Sequence, residues 1–277
     1  MQKINYLNLS IILKNLINMF LDTITNYKKT VIENLKKAYS YQELERLALQ
    51  REEVSLTKSF AEALSTPSLS LIAEVKKGSP SKGIIRHEFN HQQIAQDFEQ
   101  HGASALSILT EEKFFFGNNQ YLTEIQKIVT IPLLRKDFIL DEIQILESKV
   151  IGADAILLIA AILNKKQISD YYSLAKSLKM DVLCEVHNQE ELEMVLDTPC
   201  EIIGINNRDL KSFQVDINTT ITLQRLIPKE KTIVCESGIT TTEQLSKINQ
   251  HNIHAVLIGE GLATNPDLLH FWTSYPI

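Results

Sequence analysis

Ile131–Ile159 reads IPLLRKDFILDEIQILESKVIGADAILLI, and this stretch decides the fold. Its first part, Ile131–Arg135, is a short apolar run, the pattern of a strand buried on both faces. Asp141–Ile151 then sets Ile143, Ile145, Leu146 and Val150 around one broad helical stripe. Gly152 follows, where a left-handed helix cap suits glycine, and Ala155–Ile159 is a second apolar run. Strand, helix and strand in this order make a βα unit that feeds a parallel neighbour.

Outward from that unit the rhythm repeats. Ser70–Glu74, Ala105–Leu109, Val182–Val186, Ile202–Ile205, Thr232–Cys235 and Ala255–Ile258 bring the expected strands to eight. Between them lie helical patterns such as Ile168–Leu178, with Ile168, Tyr171, Tyr172, Leu174, Ala175 and Leu178 on its stripe. Gly102 suits a helix end, and Thr240 with Glu243 has capping-box spacing before Leu245. Eight regular units close into a barrel, whereas a doubly wound open sheet rarely needs so many. The expected fold class is α/β, a (β/α)8 TIM barrel with an N-terminal helical extension. Residues 1–66 form the extension and 67–277 the catalytic barrel, joined as one domain. In the extension Ile24, Tyr27, Val31, Leu35 and Ala38 recur at helical steps, and Met19 opens the pattern, so residues 1–18 read as an upstream start. The extension serves either as a cap sealing the barrel floor or as a flap over its mouth.

Composition narrows the function. The 28 Lys+Arg against 34 Asp+Glu give a net charge of −6 with no basic stripe, which argues against a nucleic-acid surface. The apolar stretches of the N-terminus are broken by Lys3, Asn5, Asn8, Lys14, Asn15 and Asn18, so neither a membrane span nor a signal peptide is expected. Cys184, Cys200 and Cys235 are too scattered for a disulfide framework or a metal motif; Cys184 and Cys235 read as small buried apolar groups, and a reduced, cytoplasmic setting follows. The seven histidines show no metal spacing with carboxylates.

Barrels of this kind carry their active sites at the C-terminal ends of the strands. Here those ends are loaded with charge: Glu74-Val75-Lys76, Arg135-Lys136-Asp137, Glu185-Val186-His187, Asn206-Asn207-Arg208-Asp209, Glu236-Ser237-Gly238 and Gly259-Glu260-Gly261. Glu74 and Lys76 share a parity and face the same way. Charges set directly after buried strands are costly unless they pair or meet a ligand, and once gathered they shift each other's pKa. The small-residue turns after the last two strands suit a phosphate held by backbone N–H groups. No P-loop or GxGxxG fingerprint follows the first strand, so no nucleotide cofactor is implied.

The run Ile72–Gly83 (IAEVKKGSPSKG) resembles the signature of the indole-3-glycerol phosphate synthase family. The likeness continues through LSILTEEK at 106–113, LRKDFI at 134–139, GADAILLI at 152–159, Glu185-Val186-His187, GINNRDL at 204–210 and ESGI at 236–239. It implies ring closure of 1-(2-carboxyphenylamino)-1-deoxyribulose 5-phosphate with loss of CO₂ and water, without metal or other cofactor. It further implies catalytic positions at Glu74, Lys76, Lys136, Glu185 and Asn206. Lys136 would be the general acid on the carbonyl oxygen and Glu185 the group assisting dehydration, with Glu74 and Asn206 orienting them. Lys76 and Arg208 would hold the substrate's carboxylate or phosphate, Ser79 would shape the substrate loop, and Ser237, Gly238, Gly259 and Glu260 would bind phosphate. Leu109, Leu157 and Leu257, with Phe114 and its neighbours up to Phe116, are expected as walls for the aromatic ring. Lys136 is expected to have a lowered pKa from burial and neighbouring cations. Gly261 departs from the family pattern, where serine is common.

The expected partner is a small phosphorylated substrate, with no nucleic acid or membrane, and the chain is expected as a monomer or weak homo-oligomer. Two other readings stay open: a different phosphate-binding barrel, such as a phosphoribosylanthranilate or aminoimidazole-ribonucleotide isomerase type with aspartate or cysteine acid–base pairs, and a non-catalytic barrel retained for binding or assembly. The first is disfavoured by the Glu74, Lys136 and Glu185 set, the second by retention of every strand-end charge.

Overall fold

The computed structural model describes residues 6–51, 58–209 and 214–273, with side chains from residue 21 onward. Eight parallel strands close into a barrel: β1 (Ser70–Val75), β2 (Ala105–Leu109), β3 (Leu133–Lys136), β4 (Ala155–Ile159), β5 (Asp181–Val186), β6 (Ile202–Asn206), β7 (Thr232–Glu236) and β8 (Ala255–Ile258). Each pairs with its sequence neighbours, and β1 closes on β8 through Ser70↔Ala255 to Ala73↔Ile258. All eight expected strands are present. The third starts two residues later than expected because Pro132 has no N–H to give to the ladder.

The α-helices among the described residues are α1 (Tyr6–Ala38), α2 (Tyr41–Gln50), α3 (Phe60–Leu64), α4 (His91–Gln100), α5 (Asn119–Ile125), α6 (Glu142–Ile151), α7 (Lys165–Ser177), α8 (Gln189–Leu196), α9 (Asn218–Leu223), α10 (Thr242–Ile248), α11 (Glu260–Thr264) and α12 (His270–Thr273). Asp141 and Asn164 cap α6 and α7, each in a reciprocal capping box. Gly152 ends α6 at φ 111°, as its sequence position suggested. The cap of α10 is Thr241, paired with Gln244, one residue past the Thr240 and Glu243 expected. The frame slips because Gln244 reaches back to the Thr240 and Thr241 N–H groups.

Strand alternation divides the core in two. Ile72, Ala105, Leu134, Ala155, Leu183, Ile202, Val234 and Ala255 fill the barrel interior, while Leu71, Ala73, Leu106, Ile108, Ile156 and Ile203 pack outward against the helices. Phe60 and Leu64 of α3 join the interior cluster, and the Ala61 N–H donates to Asp181 at the start of β5. So α3 seals the barrel floor.

The remainder of the extension goes to the other end. Leu21 and Ile24 of α1 line the cavity at the strands' C-terminal ends. Ile24, Lys28 and Ile32, four residues apart, form the buried face of α1. Lys28 Nζ lies 2.6 Å from Asp137 Oδ1, with both side chains almost wholly out of solvent. Arg135, which faces outward from β3, also reaches Asp137 and bonds Glu147 and the Ser148 hydroxyl on α6. Both roles considered for the extension are therefore filled, by different helices. The backbone of α1 begins at Tyr6, upstream of Met19; residues 1–5 of the expected upstream start lie outside the described residues.

One expectation is corrected. Cys184 on β5 is joined to Cys200, which leads into β6, in a disulfide with a Cα–Cα distance of 6.6 Å. Adjacency of β5 and β6 brings the two together, a proximity invisible in their spacing along the chain. Cys235 is free and buried, as expected.

Removing one partner of a buried ion pair leaves the other charge uncompensated. Lys28→Met should therefore destabilise the protein by about 3 kcal/mol, the low end of that effect because Arg135 still faces Asp137; chemical denaturation measures it. Deleting residues 1–18 should leave turnover unchanged, since Leu21, Ile24 and Lys28 remain.

Candidate active site

The inward parity that fills the interior with aliphatic side chains ends, one layer higher, in charge. Glu74 on β1, Lys136 on β3, Glu185 on β5, Asn206 on β6 and Glu236 on β7 all reach a cavity of about 630 Å³, with Leu109, Leu157 and Leu257 beside them. Register sets this layer: Leu109 pairs with Lys136, Asn206 with Glu236, and Leu257 with Glu236.

Lys136 is the hub. Its Nζ donates to Glu185 Oε2 at 2.6 Å and to Glu236 Oε2 at 3.0 Å. Burial pulls its pKa down, but Glu185, Glu236 and Glu74 outweigh burial and hold the ammonium well above its ordinary value. The expected lowering is thus reversed, because its neighbours are carboxylates and not cations. Glu185 is also buried, which favours its neutral form, yet Lys136 and His187 keep it far below the usual carboxylate range. Glu236 goes the other way: burial and the negative charge of Glu185 outweigh Lys136 and push it up to about 8. Two carboxyl groups on one ammonium thus differ in protonation at neutral pH, a separation suited to acid and base roles. Glu236 Oε1 is buried without a hydrogen-bond partner.

Lys76 extends the charged layer, donating to Glu74 Oε1 at 3.0 Å and standing 5.8 Å from the Phe115 ring centre. Phe115 and Phe138, 5.9 Å apart, form the aromatic wall. Phe114 does not line the cavity; it packs edge-on against Tyr27 of α1. The loop's turn decides which ring faces in. Buried Glu111 accepts the N–H groups of Lys113, Phe114 and Phe115 and winds the segment around its carboxylate.

The far side of the cavity is built from turns. Ser79 lies in a short hairpin, Gly78–Ser79 against Gly83–Ile84, that overhangs the mouth after β1. Ser237 and Gly238 have successive positive φ values, 65° and 86°. A left-handed serine costs about 1–3 kcal/mol, and such strain clusters at ligand sites. At Gly259 a side chain would collide with the Glu74 carboxylate, so the β8 turn is tied to the charged layer. At Gly261 a Cβ would collide with the Ile239 carbonyl. Glu260 lies 3.4 Å from Arg208 and 3.5 Å from Lys82, so cations and a carboxylate share this rim. Asn206 accepts the Arg208 N–H and turns the chain into the cavity edge.

Every residue given a catalytic, substrate or phosphate role from the sequence lines the cavity, except the ring of Phe114 and, beside it, that of Phe116. Glu236 was named as a strand-end charge but given no role; β7 runs one residue past its expected end at Cys235 and puts Glu236 on the inner face beside Val234. Phe138, Leu21 and Ile24 were also missed.

Residues 21–274 match the sequence profile described as Indole-3-glycerol phosphate synthase. The chain belongs to that family. The Indole-3-glycerol phosphate synthase of Alkaliphilus metalliredigens (strain QYMF) is 49% identical over 245 residues, covering 88% of this chain and 93% of the relative. The protein of the same name from Thermoanaerobacter pseudethanolicus (strain ATCC 33223 / 39E) is 46% identical over 242 residues, 87% of this chain and 91% of its own. A likeness in fold alone reaches further. The N-acetylmannosamine-6-phosphate 2-epimerase from Clostridium perfringens superposes with a TM-score of 0.59 at 15% identity, over 80% of this chain and 99% of that one. The family match spans Glu74, Lys76, Lys136, Glu185, Asn206 and Glu236. Among the described residues no helix is long and apolar enough to cross a membrane, and no cluster of His, Cys, Asp and Glu suits a metal.

Gly259→Ala should displace Glu74 and with it Lys76. Misplacement of a reacting geometry by about 1 Å costs on the order of 100-fold in rate, so a loss of that size in kcat is expected by steady-state kinetics, with the fold intact by circular dichroism.

Proposed function

We infer that this chain catalyses the family's reaction, closing 1-(2-carboxyphenylamino)-1-deoxyribulose 5-phosphate to indole-3-glycerol phosphate with loss of CO₂ and water, a carboxy-lyase step of tryptophan biosynthesis. The observation that carries this is the meeting of Lys136, Glu185 and Glu236 in one cavity, in a chain whose family match spans all three.

In the first step the ring carbon that bears the carboxylate attacks the substrate's carbonyl carbon. The carbonyl oxygen gathers negative charge, and Lys136, held as an ammonium, stabilises it and delivers a proton to give a hydroxyl. A lysine with a raised pKa is a weak acid, but an alkoxide is a stronger base than the amine it leaves. Loss of CO₂ then returns the bond pair to the ring. In the second step a base takes a proton from the adjacent ring carbon while the hydroxyl departs as water. Glu185, ionised and touching Lys136, suits the base that takes this proton; Glu236, protonated near neutrality, suits the acid that gives its proton to the departing hydroxyl, so that the C–O bond breaks with water as the leaving group.

Orientation comes from the walls. Phe115, Phe138, Leu109, Leu157 and Leu257 give the aromatic ring an apolar face, and Lys76 offers its ammonium to the anthranilate carboxylate. The Ser237–Gly238 and Gly259–Glu260 turns, with Arg208 beside them, take the phosphate at the usual place for this architecture. Ser79 closes the overhanging hairpin on the substrate, while Glu74 and Asn206 fix Lys76 and the rim. Action as a monomer or weak homo-oligomer belongs to the same reading, as does a cytoplasmic setting.

The direct test supplies the carboxyphenylamino-deoxyribulose phosphate and follows indole fluorescence; no product from folded protein would overturn the reading. Lys136→Met should lower kcat by about 10²–10⁴-fold, the range of a positioned acid, while substrate affinity from equilibrium titration stays within a few-fold; full turnover would remove Lys136 from its role.

A further inference from the structure

One buried titratable group stands outside the cavity lining yet touches its charges. His187 follows β5, two residues after Glu185, and its side chain is only 5% exposed. Its Nδ1 lies 2.9 Å from Glu191 Oε2, and the same carboxylate oxygen accepts the His187 backbone N–H at 2.9 Å. Its Nε2 lies 3.2 Å from Glu185 Oε1, off the line of a hydrogen bond but well within the reach of charge attraction. Glu185 offers its other oxygen to Lys136, which in turn meets Glu236.

We propose that His187 is a positioning residue for the reaction: as an imidazolium clamped by Glu191, it fixes the Glu185 carboxylate in its ionised form, so that the proton shared around Lys136 resides on Glu236. The proposal rests on Glu185 being the base of the scheme above.

The chain of charges makes the argument. Glu191, His187, Glu185, Lys136 and Glu236 alternate in sign up to the last member, and each is in contact with the next. The carboxylates facing the imidazole are Glu185 from β5 and Glu191 from α8, with Lys136 on β3 and Glu236 on β7 one contact further. Lys136 alone does not tell Glu185 from Glu236, since it donates to both. His187 breaks that symmetry, because it touches only Glu185 of the two. Burial favours neutral imidazole, but the two carboxylates outweigh it and raise His187 to about 9. The cation persists through neutral pH. Glu191 is the outer anchor: from the first turn of α8 it holds the ring and its backbone together, with Asn188 donating to its second oxygen.

The sign of the effect is fixed. Removing the imidazolium makes ionised Glu185 less favourable, so its pKa rises and activity is lost at higher pH on the acidic side. A charged neighbour at this range shifts a carboxyl by about 1–3 units, so the acidic limb of kcat in His187→Asn should move up by about one unit or more. KM should change little, because His187 does not line the cavity. Glu191→Gln should move the limb the same way by less. Independently, the His187 imidazole in the wild-type protein, followed by ¹⁵N NMR, should titrate well above ordinary histidine. A purely structural histidine would lower kcat at all pH values and leave the limb in place. An unmoved limb in both variants, or an imidazole titrating near its ordinary pH, overturns the proposal. If His187→Asn fails to fold, Glu191→Gln and the NMR titration still decide. If the wild-type chain makes no indole product, the functional reading fails instead, and the NMR titration alone tells whether the clamp exists.

Discussion

The site depends on one ammonium shared by two buried carboxyl groups. Lys136 brings a positive charge into the top layer of the barrel, where Glu185 and Glu236 are buried, and without it both carboxyls would lose their reason to be there. The closed ring of strands enforces the contact. β3, β5 and β7 are alternate staves of the barrel, and their inward positions at one height meet across its axis. The aliphatic layers beneath give the charges a fixed, poorly polarisable support, which makes their mutual effects on proton affinity large.

The same logic of buried charge recurs just outside the barrel wall. Asp137 follows the hub lysine directly, and its side chain meets Lys28 from α1, Arg135 from β3 and the Thr110 hydroxyl. Its carboxyl sits below its ordinary range because these cations outweigh its burial. The chain on either side of Lys136 is thereby fastened, with Arg135 anchored to α6 and Asp137 to α1. A catalytic lysine with four rotatable bonds gains a rigid base from these neighbours.

The barrel was legible in the sequence because each strand is a self-contained apolar run, and eight such runs at even spacing leave few alternatives. The charged strand ends were legible for the same reason, since a polar residue directly after a buried run stands out. What escaped depends on contacts between distant segments. The proton affinity of Lys136 was misjudged because its neighbours come from β1, β5 and β7, not from Arg135 beside it, which points the other way. Glu236 gains its role from sharing the Lys136 ammonium with Glu185, a meeting of three strands that no one segment reveals. Of the three rings expected from Phe114 to Phe116 only Phe115 lines the cavity, because the turn around Glu111 fixes the ring directions, and no periodicity reports on that. The Cys184–Cys200 link depends on strand adjacency, and the burial of Lys28 depends on its meeting with Asp137, 109 residues away.

The N-terminal segment touches both ends of the barrel, with α3 plugging the floor and α1 roofing the mouth. Detachment of both helices would wet the aliphatic interior from below and flood the charged layer from above. Endurance of the enzyme and its capacity to turn over would then fade together, so that a preparation losing one has already lost the other.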